Sequence, residues 1–113
     1  MNETTTNADQ ADLAAVLLQH LAIYRAMSHT QLAARLKSSQ TLDVTDGVLP
    51  DGTTYVVETN LMWDDSAKRH VRVIADLSTG QRPPERLLGL IPVYRPDVQD
   101  GFIMAPDGSF VDE

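Results

Sequence analysis

The pattern of apolar and polar residues changes its period once along the chain, near Ser38 and Ser39. Before this point apolar residues recur at helical spacing, as in a helix that packs one face on a core. Beyond it, apolar and polar residues alternate, as in strands that bury one face. We therefore expect an α+β domain with an N-terminal helix or helix pair packed on an antiparallel β-meander, followed by a short helix and a C-terminal β-hairpin.

The helical part begins after a polar segment. Residues 1–7 are predicted to form a disordered tail, and residues 8–113 a single α+β domain. From about residue 8, a stripe of apolar side chains at 100° per residue is predicted to face the core. Its members are Leu13, Val16, Leu17, Ile23, Tyr24 and Met27. His20 projects onto the same stripe, where a packed and hydrogen-bonded imidazole is expected.

A break is predicted within the helical part. An unbroken helix would turn Leu32 and Leu36 away from the apolar stripe. Ser28 and Gln31 have the spacing of a capping box, in which the side chain of each residue accepts a hydrogen bond from the backbone N–H of the other. The pattern therefore predicts either two helices or one helix kinked near Ser28, with the second part over about 29–37.

The dipeptide Asp51-Gly52 lies between two strand-forming runs and predicts a hairpin with a two-residue type I′ turn. This turn sets the register of the two strands. It pairs three apolar residues of the first strand with partners across the hairpin, namely Val48 with Tyr55, Val44 with Thr59 and Leu42 with Leu61. The register therefore predicts that Leu42, Val44 and Val48 face the core.

A third strand is predicted over 70–77, after a five-residue loop that sets Leu61 opposite Val71 and Tyr55 opposite Leu77. Its apolar residues then share the core face with those of the second strand. The other face carries the polar residues that we take as a candidate binding surface: Glu58, Asn60, His70, Arg72 and Asp76. These residues form either a shallow groove for a ligand or partner, or cross-strand ion pairs on a solvated face.

The rest of the chain has weaker periodicity. Pro84 is placed to open a short helix that ends at Gly89, and residues 90–94 are predicted as a short edge strand. A second Asp-Gly, at Asp107 and Gly108, predicts a small C-terminal hairpin.

Composition narrows the class of protein. Of the 113 residues 42% are apolar and 22% are charged, and there is no cysteine. These values are typical of a globular domain without disulfides or thiolate metal sites. No apolar run approaches the ~20 residues that span a bilayer, and the N-terminus has no signal-peptide pattern. We therefore expect a cytoplasmic protein without a membrane partner.

Charge is unevenly placed along the chain. The net charge is −7, and residues 42–113 hold thirteen acidic side chains against six basic ones. Such a surface repels phosphate backbones, so no nucleic-acid partner is expected. The acidity serves solubility or favours a basic partner.

No motif in the chain identifies a catalytic residue, a cofactor-binding residue or a metal ligand. Three histidines, His20, His29 and His70, lack the spacing of a zinc site, and no Gly-rich nucleotide loop occurs. The preferred hypothesis is a non-enzymatic protein-interaction or regulatory module, which self-associates or binds a partner. The alternative is a small-molecule-binding protein or enzyme, with a pocket between helix and sheet into which His20, Tyr24 or Tyr55 points.

Two resemblances bear on these hypotheses. The run from Phe102 to Phe110 resembles a group of small uncharacterised bacterial proteins with a C-terminal Phe-Ile-x-Ala-Pro-Asp-Gly-Ser-Phe run. This resemblance implies a small bacterial protein of one domain and no particular activity. The predicted order of helix, three strands, short helix and further strands is similar to type III secretion chaperones, which act as dimers on secreted effectors. That similarity adds a secretion-chaperone-like dimer to the alternatives, although the final helix of that fold is missing here.

Overall fold

The computed structural model describes the backbone of residues 2–79, 85–87, 91–93 and 97–113, and the side chains of residues 10–79 and 97–113. Its elements are α1 Asn2–Arg25, α2 His29–Lys37, β1 Leu42–Val48, β2 Thr54–Trp63, β3 Val71–Thr79, β4 Glu85–Leu87, β5 Ile91–Val93 and β6 Val98–Met104. Four strands form an antiparallel sheet in the order β1-β2-β3-β6, and β4 pairs with β5. The predicted α+β class, with helices before a meander, is confirmed.

The helical part is divided as predicted. Helix α1 ends at Arg25 and α2 begins at His29, with Ser28 as its N-cap. Both halves of the capping box are present: the Gln31 N–H donates to Ser28 Oγ at 3.1 Å, and the Ser28 N–H donates to Gln31 Oε1 at 2.8 Å. At its other end α1 starts at Asn2, so the helix includes residues 2–7, for which the sequence predicts a disordered tail.

The core lies between the helices and one face of the sheet. Helix α1 contributes Leu13, Leu17, Leu21 and Tyr24 to it. Two positions differ from the predicted stripe, because Leu21 is 1% exposed whereas Ile23 is 62% exposed. Ile23 lies 100° around the helix from Tyr24, beyond the rim of the buried stripe, whereas Leu21 lies one turn after Leu17 and continues it.

The predicted register of the first hairpin is wrong by one residue. The structure pairs Val48 with Thr54, Val44 with Glu58 and Leu42 with Asn60. The reason is the turn, which has three residues in its loop: the Leu49 N–H donates to the Thr53 carbonyl at 2.8 Å. Only its last loop residue, Gly52, has a positive φ (+92°), whereas a type I′ turn needs two such residues.

Pro50 explains this choice of turn. A two-residue Asp51-Gly52 loop would pair Pro50 with Thr53, and Pro50 has no N–H to donate across the strands. With Pro50 inside the loop, its fixed φ suits the second position of the turn. Side chains alternate along a strand, so the one-residue difference moves every β1 side chain to the other face. Leu42, Val44 and Val48, predicted to be buried, are therefore exposed.

The second pairing keeps the predicted faces but not the predicted partners. Leu61 lies opposite Val73, and Tyr55 lies opposite Thr79, a shift of two residues. An even shift preserves the face of each side chain. The inner face accordingly buries the apolar residues predicted for it on β2 and β3: Val57, Leu61, Val71, Val73, Ala75 and Leu77.

The C-terminal region repeats the first turn. The Gly108 N–H donates to Ala105 at 2.8 Å, Gly108 has φ +88°, and Met104 bridges to Phe110, which confirms the small hairpin. The predicted strand over 90–94 corresponds to β5. The predicted short helix is wrong over 85–87, which form strand β4 paired with β5. Its remaining residues lie outside those described.

Candidate functional site

The outer face of the sheet, defined as the face turned away from the helices, carries four of the five predicted site residues. Glu58, Asn60, Arg72 and Asp76 all lie on it, in strands β2 and β3. Their pairing differs from the expectation, because Arg72 lies opposite Met62 and Asn60 lies opposite Ile74. His70 lies just before β3, in the loop that joins it to β2.

Arg72 and His70 both donate hydrogen bonds to aspartates of the β2–β3 loop. The Arg72 Nε–H donates to Asp64 Oδ1 at 2.7 Å, and the two side chains form an ion pair. Asp65 Oδ1 accepts hydrogen bonds from the backbone N–H groups of Arg69 and His70, both at 2.9 Å. These N–H groups hold the pKa of the Asp65 carboxyl well below its usual range. Arg72, through its side chain, and His70, through its backbone N–H, thus stabilise this loop.

The two carboxylates of the predicted surface face each other across the strands. Glu58 lies directly opposite Asp76, and like charges in this position repel. Asp76 accepts a hydrogen bond from Gln99 Nε2 at 2.6 Å. Because Arg72 is bound to Asp64, this part of the outer face presents negative charge to the solvent.

An apolar row on β1 is the feature of the outer face that the sequence-based register missed. Leu42, Val44 and Val48 are 56%, 55% and 64% exposed, and Val56 and Met62 on β2 are also exposed. We call the three β1 residues the β1 row. The missing N–H of Pro50 was the signal that could have placed them outside.

The surroundings of the β1 row are acidic. From residue 38 to residue 67 the chain carries Asp43, Asp46, Asp51, Glu58, Asp64 and Asp65, and it has no lysine or arginine. Asp46 lies within the β1 row, between Val44 and Val48 on the same face. A concavity of about 520 Å³ lies at this end of the hairpin, lined by residues of both strands, among them Asp46, Val48 and Tyr55.

A second candidate site lies beneath α1. His20 Nε2 is 2.9 Å from Thr59 Oγ1, and the Tyr24 hydroxyl donates to Asp43 Oδ2 at 2.5 Å. The expectation of a packed, hydrogen-bonded His20 is confirmed. Burial, followed by the hydrogen bond to Asp43, raises the pKa of Tyr24 to about 12. The adjoining cavity measures about 190 Å³ and is lined by Val16, Gln19, His20, Ile23, Thr45, Tyr55 and Val57.

No protein family model, no curated protein and no solved structure matches this chain. Within the described residues, no group of three or more His, Asp or Glu side chains is arranged to hold a metal ion. In the same part of the chain, no helix is long and apolar enough to cross a membrane.

Proposed function

We propose that this protein is a non-enzymatic protein-interaction or regulatory module that binds a protein partner on the outer face of its sheet. The observation that carries the proposal is the β1 row, in which Leu42, Val44 and Val48 each expose more than half of their surface. Three large apolar side chains aligned on one strand form a patch of the kind that marks interaction sites. The core buries many side chains of this kind, so the solvent-facing row is consistent with coverage by a partner.

We further propose a bacterial cytoplasmic module that binds neither nucleic acid nor membranes. A net charge of −7 disfavours both phosphate backbones and anionic lipid surfaces. Membership of the small bacterial group with the Phe-Ile-x-Ala-Pro-Asp-Gly-Ser-Phe run is part of the proposal, since residues 102–110 match that run.

The second candidate function is a dimeric module similar to a secretion chaperone. It is favoured by a different surface, the exposed side of α1, where Leu18 and Ile23 are 59% and 62% exposed. Two copies of the chain that pair through this side would cover both residues. Their acidic sheets would then stay apart and remain open to a partner.

The small-molecule hypothesis has less support from the cavity beside which His20 and Tyr55 lie, whereas a larger cavity of about 580 Å³ lies between α2 and Trp63 of β2. Ligand pockets commonly enclose about 300–1,000 Å³, and the cavity beneath α1 has about 190 Å³. The polar groups near it also have partners within the protein, since His20 bonds to Thr59 and Tyr24 bonds to Asp43.

Two double variants distinguish these functions. Val44→Ser with Val48→Ser removes apolar surface from the β1 row, and Leu18→Ser with Ile23→Ser removes a matched amount from α1. Each tagged protein is purified from its native host, its mass in solution is measured by light scattering, and its stoichiometric companions are identified. We expect a companion to be purified with the wild-type protein. The amount of this companion should fall at least tenfold with the β1 variant and stay unchanged with the α1 variant.

Other results separate the candidates. A companion that both variants retain would contradict binding through the β1 row. If the wild-type protein is a dimer and only the α1 variant is a monomer, the second candidate function gains support. A strictly solitary monomer from the native host would contradict both interaction hypotheses.

A further inference from the structure

Strand β1 has a free edge among the described strands. It pairs with β2 on one side, and the described part of the chain places no strand on its other side. The opposite edge of the sheet is partly covered, because the Val111 N–H donates to Ile103 of β6 at 2.9 Å and Phe110 bridges to Met104. The open edge is therefore the one beside the β1 row.

The hydrogen-bond pattern shows which β1 backbone groups point outward. The Leu49 N–H donates to Thr53, and the Leu61 N–H donates to Thr41, so odd-numbered residues of this strand pair with β2. Antiparallel ladders alternate between bonded and non-bonded positions. The N–H and C=O groups of the even-numbered residues consequently face the free edge: Leu42, Val44, Asp46 and Val48.

The same four residues place their side chains on the outer face. A strand added at this edge would therefore gain backbone hydrogen bonds and side-chain contacts from one set of residues. Exposed edges are usually blocked by charged side chains, proline or a bulge. Strand β1 has no lysine or proline within Leu42–Val48 and pairs with β2 without a bulge, so its edge is protected by the carboxylates of Asp43 and Asp46.

Charge decides which strand can be added. A second copy of β1 would bring the carboxylates of Asp43 and Asp46 to a hairpin that already lacks any basic residue, so its own charge opposes this pairing. A basic residue opposite Asp46 would instead form a cross-strand ion pair. Apolar residues opposite Leu42, Val44 and Val48 would cover the β1 row.

We propose that β1 accepts a basic, extended peptide segment of a partner protein as an added antiparallel strand. Antiparallel addition matches all the pairings of the sheet and is the more stable kind per residue. Read from its N-terminus, the segment presents to the outer face an apolar residue opposite Val48, a basic residue opposite Asp46, and apolar residues opposite Val44 and Leu42. This inference rests on the proposed function, which it deepens by naming the chemistry of the partner.

The concavity at the end of the hairpin supports this pattern. Asp46, Val48 and Val56, whose side chains share the outer face, all contribute to its lining. A lysine or arginine opposite Asp46 could lay its aliphatic stem along apolar wall and reach the carboxylate with its charged end.

The test is a titration of the isotope-labelled protein with a synthetic peptide, acetyl-Val-Thr-Lys-Thr-Val-Thr-Val-amide, followed by amide chemical shifts. We expect the largest shifts at Leu42, Val44, Asp46 and Val48, and at least tenfold weaker binding when glutamate replaces the lysine. A third peptide moves the lysine by one position, to the other face of the strand, and is expected to bind more weakly than the first. Equal binding of all three, or shifts centred on β6 or α1, would overturn the inference.

Variants of the protein test the backbone and the charge separately. Val44→Pro removes an outward N–H without removing a bond to β2, and proline is tolerated on edge strands. It should weaken peptide binding at least tenfold, whereas Val44→Thr, which keeps the N–H, should not. Asp46→Asn should reduce the preference for lysine over glutamate, and Asp12→Asn, an exposed acid on α1, should leave it unchanged.

If Val44→Pro does not fold, the comparison of Asp46→Asn with Asp12→Asn decides, and an unchanged lysine preference in both overturns the inference. The outcomes for the two proposals also differ. Loss of the native companion in the Val44→Ser, Val48→Ser variant, together with no peptide binding at β1, would overturn strand addition and support the proposed function.

Discussion

The Arg25 guanidinium donates two hydrogen bonds to the Glu113 carboxylate, from Nη1 at 2.7 Å and from Nη2 at 2.9 Å. The same guanidinium lies 4.8 Å from the ring centre of Phe102 and 4.7 Å from that of Phe110. One side chain of α1 thus binds the C-terminal hairpin through both charge and ring contacts. Planar geometry and two-pronged donation are properties of arginine that lysine lacks.

Arg25→Gln should therefore destabilise the protein more than Glu113→Gln does. Both changes remove the ion pair, which is partly exposed and contributes little. Only the Arg25 change also removes two cation–π contacts, each worth about 0.5–1 kcal/mol at exposed sites. Urea unfolding of both variants measures the difference, and equal midpoints would show that the ring contacts contribute nothing.

The two turn glycines should be sensitive to any side chain. Gly52 and Gly108 have φ values of +92° and +88°, and a Cβ at either position meets no atom within 4 Å. The cost of Gly52→Ala or Gly108→Ala is therefore one of backbone conformation alone, roughly 1–2 kcal/mol. Asparagine adopts this conformation more readily, so each Gly→Asn variant should unfold at a higher urea concentration than its Gly→Ala counterpart. The reverse order would argue against the observed turns.

Gly101 should be intolerant of alanine for a different reason. A Cβ on Gly101 would overlap the carbonyl oxygen of Val73 and lie 3.2 Å from Ile74 Cα, both backbone atoms of β3. Relief requires β6 to move from β3, for which overpacking costs suggest roughly 1–3 kcal/mol. Gly47→Ala is the matched control, because the atoms nearest its Cβ belong to the far end of the Tyr55 side chain, which can move without displacing a strand. Thermal unfolding should rank Gly101→Ala below Gly47→Ala.

Burial of the Tyr24 phenol makes the stability of the fold depend on pH in the alkaline range. The pKa of Tyr24 is raised to about 12, first by burial and then by Asp43. A raised folded-state pKa stabilises the fold fully below the unfolded value of about 10, and this contribution disappears as pH rises toward about 12. When tyrosine ionisation is followed by absorbance, the transition at the highest pH should be absent in Tyr24→Phe. In Asp43→Asn that transition should shift to lower pH, and an unmoved transition would contradict the role of Asp43.

The β2–β3 loop should respond to acid through Asp65. Its pKa is lowered by the N–H groups of His70 and Arg69. A lowered pKa means that the stabilisation is present above the ordinary carboxyl range of about 4 and is lost as pH falls through the lower folded value. The amide shifts of Arg69 and His70 should therefore titrate together at acidic pH, and Asp65→Ala should abolish that titration. Independent titration of the two amides would contradict a shared acceptor.

The sequence predicts features that depend on neighbouring residues better than features that depend on contacts between distant residues. The Ser28–Gln31 capping box is local, and it was predicted because each residue supplies the other's hydrogen bond. The faces of β2 and β3 were also predicted, because alternation reports them directly. Neither needs knowledge of distant contacts.

The errors of strand register share one cause, the choice of partner across a turn. Strand β1 has apolar residues at Leu42, Val44 and Val48, and a period-two pattern alone places such residues in a core. Pro50, which has no N–H, disfavours that register, and on the other face of β1 the Tyr24 hydroxyl bonds to Asp43 and the Tyr55 ring lies across Gly47. Four of the predicted site residues thus lie on the outer face, but the apolar β1 row on the same face was missed.

The most direct test of the account uses single cysteines, since the chain has none of its own. In the purified protein, Val44→Cys should react with a maleimide about as fast as Leu18→Cys and much faster than Val57→Cys, whose position is 1% exposed. In a native-host lysate freed of small thiols, a bound partner should slow Val44→Cys at least tenfold relative to Leu18→Cys. A Val44→Cys rate as slow as that of Val57→Cys in the purified protein, or no slowing in the lysate, would contradict an exposed β1 row that binds a partner.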